Sequence, residues 1–284
     1  MYKTWIVLVI VTLAALLAAF IIWVIWGNSA LEMNRYTIKS PYLPESFNGY
    51  KIAQISDLHN AQIGDNNETL LNMLRECDPD IITITGDIVD SRHTDLDVAI
   101  EFVTEAVKIA PCYYVTGNHE ARLEEYDDLR EAMEAVGVIV LADASVRISR
   151  GDSTITLIGV NDPSFFEGYA SDLILPLMDR KLETLCRDTE GFTVLLAHRP
   201  HLFASYVGAD VDLVLSGHAH GGQFRLPFLG GVYVPSQGFF PEYDAGLYTD
   251  GRTQMIVNRG IGNSAFPFRI NNRPELLLIE LYSC

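Results

Sequence analysis

Five short polar stretches, each closing an apolar run, constrain this chain more than any other feature. They are Ser-Asp-Leu-His at 56–59, Gly-Asp-Ile-Val-Asp at 86–90, Gly-Asn-His-Glu at 117–120, Ala-His-Arg at 197–199 and Gly-His-Ala-His at 217–220. They hold five of the seven histidines, a clustering that random placement would not give. The apolar runs read as strands, and Gly86, Gly117 and Gly217 permit sharp turns out of them. In open α/β sheets ligands bind beyond the carboxyl ends of strands, so distant segments can converge there. Asp57 and His59 are two apart, as are His218 and His220. Extended backbone turns residues i and i+2 to the same side, which predicts that each pair reaches into one cavity. Oxygen and nitrogen ligands gathered in this way suit a pair of divalent cations.

From residue 50 the pattern alternates strand and helix. Strands are predicted at 51–55, 81–85 and 112–115, and helices at 66–76, 96–108 and 126–136. The middle reads as short strands at 139–141, 146–149 and 154–160, then a helix at 177–186. Strands at 193–197 and 213–216 flank a helical piece at 202–207. The last third is β-rich, with strands at 231–234, 254–258 and 275–282. The expected fold is α/β: two mixed sheets packed face to face with helices outside.

Residues 5–26 form an unbroken uncharged stretch with Trp5, Trp23 and Trp26 near its ends. Crossing a bilayer takes about 20 such residues, and tryptophans favour the interfaces. A signal peptide has a shorter apolar region, about 7–15 residues, and a small-residue cleavage site. Asn28-Ser29-Ala30 is a poor one, so an uncleaved anchor is the preferred reading. The expected organisation is an anchor at 1–30, a connector at 31–49 and one catalytic domain at 50–284. Lys3 on a very short N-terminal tail favours a single-pass protein of the cell membrane with its domain outside the cytoplasm, although Arg35 and Lys39 follow the span. The net charge of −17 argues against a nucleic-acid-binding surface. Cys77, Cys112, Cys186 and Cys284 form no CxxC pair, which disfavours a zinc ribbon or thiol catalysis, and nothing demands a disulfide.

The ordered set Asp-x-His, Gly-Asp-x-x-Asp, Gly-Asn-His-Glu, a lone His and Gly-His-x-His resembles the calcineurin-like metallophosphoesterases. Gly-His-Ala-His-Gly-Gly-Gln at 217–223, Asn-Arg-Gly-Ile-Gly at 258–262 and Arg-Pro-Glu-Leu at 273–276 are similar to the YkuE/YaeI-like bacterial branch, often membrane-attached. The resemblance runs from about residue 50 to the C-terminus. It implies that Asp57, His59 and His220 hold one metal, that Asn118, His198 and His218 hold a second, and that Asp87 bridges them. It further implies that water between the metals attacks phosphorus as hydroxide, that His119 protonates the leaving oxygen, and that Asp90 orients His119. The mixed ligand set suits Mn, Fe and Zn alike.

Arg199, Arg259 and Arg269 are candidates to grip substrate phosphate, with surface salt bridges as the plainer reading. The aromatic-rich segment 224–248, with Phe165, Phe166 and Tyr169, could wall the site, or be a buried hairpin. An anchored enzyme with such a wall suits a lipid-linked phosphoester. The expected function is a membrane-anchored, dinuclear-metal phosphoesterase acting on a phosphodiester, a phosphomonoester or a lipid-linked pyrophosphate. The rival reading is a non-catalytic, metal-stabilised scaffold at the membrane. His119 and Asp90 speak against it, because a scaffold has no use for a proton donor.

Overall fold

The computed structural model describes residues 2–166, 173–187, 189–264 and 266–284. It begins with α1 (Tyr2–Ser29), a 28-residue helix none of whose side chains is buried. At 1.5 Å per residue it is about 42 Å long, more than the ~30 Å of a hydrocarbon core. The remaining elements are β1 (Glu32–Ser40), β2 (Tyr50–Ile55), α2 (Glu68–Cys77), β3 (Ile81–Thr85), α3 (Leu96–Ala106), β4 (Cys112–Val115), α4 (Tyr126–Ala135), β5 (Ile139–Val140), β6 (Ala144–Arg150), β7 (Ser153–Gly159), α5 (Ile174–Cys186), β8 (Thr193–Leu196), α6 (Phe203–Gly208) and β9 (Leu213–Ser216). Two small hairpins follow, β10 (Arg225–Leu226) with β11 (Gly230–Gly231), and β12 (Tyr233–Val234) with β13 (Gly238–Phe239). The chain closes with β14 (Gly246–Asp250), β15 (Thr253–Val257) and β16 (Glu275–Ser283).

Two six-stranded mixed sheets result, ordered β1-β16-β2-β3-β4-β5 and β14-β15-β9-β8-β7-β6. Period-two burial explains the layering. Ala53, Ile55, Ile82, Ile84 and Tyr114 face α2, α3 and α4. Their neighbours Ile52, Ile81, Tyr113 and Val115 face Leu157, Val194, Leu196, Leu213 and Leu215 of the second sheet. Ile158, Leu195, Val214 and Met255 turn outward onto Met178 and Leu182 of α5 and Phe203 and Tyr206 of α6. The helices have matching stripes. In α3, Val98, Ala99, Phe102, Val103 and Ala106 are buried. In α2, Asp78 adopts the left-handed conformation just after the last turn, and Pro79 then bars continuation.

Two expectations change. Residues 31–49 are not simply a connector. β1 runs parallel to β16 over nine residue pairs, from Glu32↔Glu275 to Ser40↔Ser283. Only Ile38 and Ser40 of β1 are buried, so the strand carries almost no hydrophobic alternation to detect. The strand expected at 231–234 is instead split between the two small hairpins, whose glycines at 230 and 238 have positive φ. All four cysteines are free.

Candidate metal centre

Strands β2, β3 and β4 of the first sheet and β8 and β9 of the second all point their carboxyl ends at one seam. The loops leaving them are tied together there. Asp57 N–H donates to Gly86 O (3.0 Å), His59 N–H to Asp87 O (3.0 Å) and Gly217 N–H to His198 O (3.1 Å). Across the seam, Gln54 Nε2 donates to Ser216 O at 2.9 Å. Gly117 and Gly217 are sites of close approach: a Cβ at Gly117 would overlap the Asp87 carboxylate, and one at Gly217 would overlap Ser56 Oγ and Asp57 Oδ2.

The ligand candidates do not project from extended backbone, as the i, i+2 argument supposed. Asp57, His59, Asp87, His218 and His220 all have φ between 46° and 66°. Side chains other than glycine occupy this region at a cost, and such strain concentrates at functional sites. Asp57 and His59 stay together, joined by His220, while His218 joins Asp87 and His198. The pair His218 and His220 is thus divided between two clusters.

The distances fit cations. His220 Nε2 lies 3.2 Å from Asp57 Oδ1, and His59 Nε2 lies 3.2 Å from His220 Nε2. Asp87 Oδ2 lies 3.6 Å from His59 Nε2 and 3.2 Å from His198 Nε2. Ligand atoms held at about 2.1 Å from one ion sit roughly 3 Å apart. Asp87 Oδ2 therefore faces both clusters. Asn118 lines the same small cavity, about 40 Å³, with Asp87, His218 and His220, and its buried Oδ1 has no hydrogen-bond partner. His59 Nδ1 and His198 Nε2 are likewise buried without one. Buried polar atoms are normally paired, so an unmatched Asn118 Oδ1 beside clustered imidazoles and carboxylates is what a metal site presents to its ions. The residues fit the group.

Electrostatics agree. Burial pushes Asp57 up to about 6, with the Asp87 charge adding to the effect. Burial holds His59 down to about 3 and keeps His218 and His220 well below the ordinary histidine value. Burial opposes a charge on His198, yet the facing Asp87 lifts it to about 10. The neutral imidazoles of His59, His218 and His220 are metal ligands in waiting, and His198 becomes one when a cation displaces its proton. His198 Nδ1 meets Thr85 O at 2.7 Å, which turns Nε2 toward Asp87.

His119 stands edge-on to His59, ring centroids 4.5 Å apart. Ser91 N–H donates to its Nδ1 at 3.0 Å, so the neutral ring carries its proton on Nε2. Asp90 Oδ1 is 3.3 Å from the same Nδ1, ready to accept when the ring is doubly protonated. Arg92 forks onto Asp90, Nε to Oδ1 at 3.0 Å and Nη2 to Oδ2 at 2.8 Å. Burial would raise the Asp90 pKa, but these bonds hold it down at about 2.

The three candidate phosphate grips are otherwise occupied. Arg199 is bidentate on Asp162, at 2.6 and 3.0 Å, with Nη1 3.3 Å from His218 Nε2. Arg259 is paired with Glu275 and Glu32. Arg269 is buried, donating to the carbonyls of Arg259 and Gly262 and lying 3.3 Å from His220 Nδ1. They are not the surface salt bridges of the plainer reading: the pairs of Arg199 and Arg259 are largely buried, and Arg269 makes hydrogen bonds but no ion pair among the described residues. Tyr169 lies outside the described residues.

Sequence reasoning assigned no role to Glu120, though it ends the third motif. Its carboxylate is buried and accepts from the backbone N–H groups of Asp87 (2.9 Å), Ile88 (2.8 Å) and Gly117 (2.6 Å). Glu120 therefore shapes the loop that presents Asp87. Its position three residues after Gly117 was the available signal. Burial, then the neighbouring Asp87, pushes its pKa up to about 7.

The family model for calcineurin-like phosphoesterases matches residues 50–222. The chain belongs to that family. It is a metal-dependent phosphoesterase, a hydrolase of phosphoester bonds, and its residue clusters imply divalent cations. The uncharacterized metallophosphoesterase YkuE of Bacillus subtilis is 31% identical over 260 residues, covering 89% of this chain and 86% of that one. The phosphodiesterase YaeI of Escherichia coli is 27% identical, covering 72% and 70%. A zebrafish transmembrane protein with a metallophosphoesterase domain is 32% identical over 84% of this chain, which spans 54% of that protein. The crystal structure of TT1561 of Thermus thermophilus shares the fold, with a TM-score of 0.52, 14% identity, and 75% and 90% of the two chains covered.

Proposed function

We propose that this chain is a membrane-anchored phosphoesterase working with two divalent cations, Mn, Fe or Zn, and acting on a phosphodiester, a phosphomonoester or a lipid-linked pyrophosphate. The observation that carries the reading is Asp87 Oδ2, buried and facing His59 of one cluster and His198 of the other. Asp57, His59 and His220 would hold one cation, and Asn118, His198 and His218 the other, with Asp87 shared. Bound there, the cations would neutralise phosphoryl oxygens and lower the pKa of water toward neutrality.

The chain's own residues supply the rest. As the imidazolium, with Nδ1–H facing Asp90, His119 gives its Nε2 proton to the leaving oxygen and is left as the neutral ring. Asp90, itself held by Arg92, accepts from Nδ1–H of the charged ring and steadies it. Arg199 and Arg269 act by positioning His218 and His220. The 28-residue apolar helix would anchor the chain in the cell membrane, with Lys3 inside and the catalytic domain outside the cytoplasm.

Purified full chain supplied with Mn²⁺ should hydrolyse bis-p-nitrophenyl phosphate and lose that activity in excess chelator, with metal analysis of the same sample giving the stoichiometry. Absence of turnover of any phosphomonoester, phosphodiester or nucleotide with each of the three metals would overturn the reading.

A further inference from the structure

Six large apolar side chains stand in solvent on one face of the domain. Phe228 is fully exposed, and Leu229, Phe239, Phe240, Phe266 and Phe268 are between 41% and 74% exposed. They come from three loops: the tip between β10 and β11, the stretch from β13 to Phe240, and the segment leading to Arg269. The sequence runs are Leu-Pro-Phe-Leu at 226–229, Gly-Phe-Phe-Pro at 238–241 and Phe-Pro-Phe at 266–268, without one charge in a chain of net charge −17. Patches of this kind on a soluble surface mark an interaction site.

The loops form one surface. Phe224 packs against Phe266 and Phe268, centroids 5.3 and 5.5 Å apart. Gln223 Nε2 donates to Phe266 O (3.1 Å) and Phe268 O (2.8 Å). Val232 N–H donates to Phe224 O, and Phe240 N–H donates to Val232 O, both near 2.9 Å.

What lies against this surface is indicated by its attachment to α1. Arg269, next after Phe268, exchanges two hydrogen bonds with Asn28 in the last turn of the helix. Arg269 N–H donates to Asn28 Oδ1 (2.7 Å), and Asn28 Nδ2 donates to Arg269 O (2.9 Å). Trp23 and Trp26 line a cleft with Arg269 and Arg273, and the Arg273 guanidinium sits 5.0 Å from the Trp26 ring. Tryptophan and arginine at the end of an apolar helix mark the headgroup level of a bilayer. The aromatic loops are therefore pinned at the depth where the helix leaves the hydrocarbon. On their other side, Tyr233 and Phe266 line the cavity that holds Asp87, Asn118, His218 and His220.

We infer that this aromatic face is a second membrane contact. It seats in the headgroup region of the bilayer that holds α1 and presses the mouth of the metal cavity onto the lipid surface. The inference rests on the anchoring proposed above, and the experiment separates the two. The full chain, with the exposed Cys284 and half-buried Cys186 changed to Ser, is labelled with an environment-sensitive fluorophore at Phe228→Cys, in a second preparation at Phe240→Cys, and in a third at the exposed Lys108→Cys in the turn between α3 and β4, at the end of the sheet away from the metal loops. Each is reconstituted in phosphatidylcholine–phosphatidylglycerol vesicles, and matching thermal unfolding curves establish that the labelled chains fold. Flotation with the vesicles reads the anchor alone.

At 228 and 240 the emission should shift to the blue and brighten several-fold. It should be shielded from iodide and quenched by lipids spin-labelled near the headgroup, while the probe at 108 stays open to iodide. Probes at 228 and 240 as open to iodide as the one at 108, in chains that float, would overturn the second contact while leaving the anchor standing. A blue shift that grows with protein density and resists spin-labelled lipid would assign the face to a second copy of the chain, and would equally overturn it.

Discussion

His119 and Glu120 are adjacent, and the proposed mechanism gives them opposite kinds of work. His119 offers a proton at the rim of the ligand cluster, so His119→Asn should lower turnover of bis-p-nitrophenyl phosphate by about 10²- to 10⁴-fold and leave bound metal unchanged. Metal lost along with activity would mean that His119 is a ligand. Turnover kept within a few-fold would remove it from proton transfer. Glu120 instead satisfies three buried N–H groups around Asp87. Glu120→Gln presents an NH₂ to donors that need an acceptor, and should cost about 1–3 kcal/mol of stability by denaturant unfolding. His198 makes a third prediction. It is held near 10 when no cation is bound, above its unfolded value near 6.5. Its stabilising contribution to the metal-free protein is then complete below about pH 6.5 and is lost as pH rises through 10. A cation requires the neutral ring. Metal binding at pH 7.5 should therefore release about one proton, read by calorimetry in two buffers of different ionisation enthalpy; equal heats in both would contradict it.

At the level of elements, strand β1 tests how far the fold could be foreseen. The parallel strands were legible because each is a short apolar run closed by a motif, and the helices because their apolar spacing is regular. β1 was not. Its sequence, Glu-Met-Asn-Arg-Tyr-Thr-Ile-Lys-Ser, looks like a linker, because its pairing is with backbone and only Ile38 and Ser40 are buried. What holds its start is charge: Glu32 pairs with Arg259 and Arg273, and Arg259 also pairs with Glu275. No single-sequence pattern announces that network. The ligand candidates were legible as motifs and the aromatic run at 224–248 as a possible wall, while the left-handed backbone that divides His218 from His220, and the joining of Phe266 and Phe268 to that run, depend on tertiary packing. The consequence is concrete. A chain cut to 31–284 keeps β1, whereas one cut to 50–284 leaves β16 as a long apolar edge with unpaired backbone groups. The first should run as a monodisperse species with a cooperative melt; the second should aggregate or melt markedly lower. Equal behaviour of the two in size-exclusion chromatography and thermal unfolding would make β1 dispensable.

Across the whole molecule, neither of the two clusters gathered round Asp57 and Asp87 belongs to one sheet. Asp57 and His59 follow β2 of the first sheet, but His220 follows β9 of the second; Asp87 follows β3, but His198 and His218 follow β8 and β9. Each cation would therefore clasp both layers, and neither site can exist until the inter-sheet core of Ile52, Val115, Leu196 and Leu215 has packed. Ligand that binds only the folded state adds stability by mass action. Well above the dissociation constants, each tenfold rise in free Mn²⁺ should add about 1.4 kcal/mol per occupied site, hence about 2.8 kcal/mol with both filled. Denaturant unfolding at a series of buffered metal concentrations gives this slope directly, independent of any substrate. His220→Ala removes one ligand set and leaves the other, so it should halve the slope rather than abolish it. Asp87→Ala, which takes away the shared carboxylate, should bring it close to zero. If the two variants give the same slope as the unaltered chain, the cations do not join the sheets, and the arrangement of Asp87 between the two clusters has another cause.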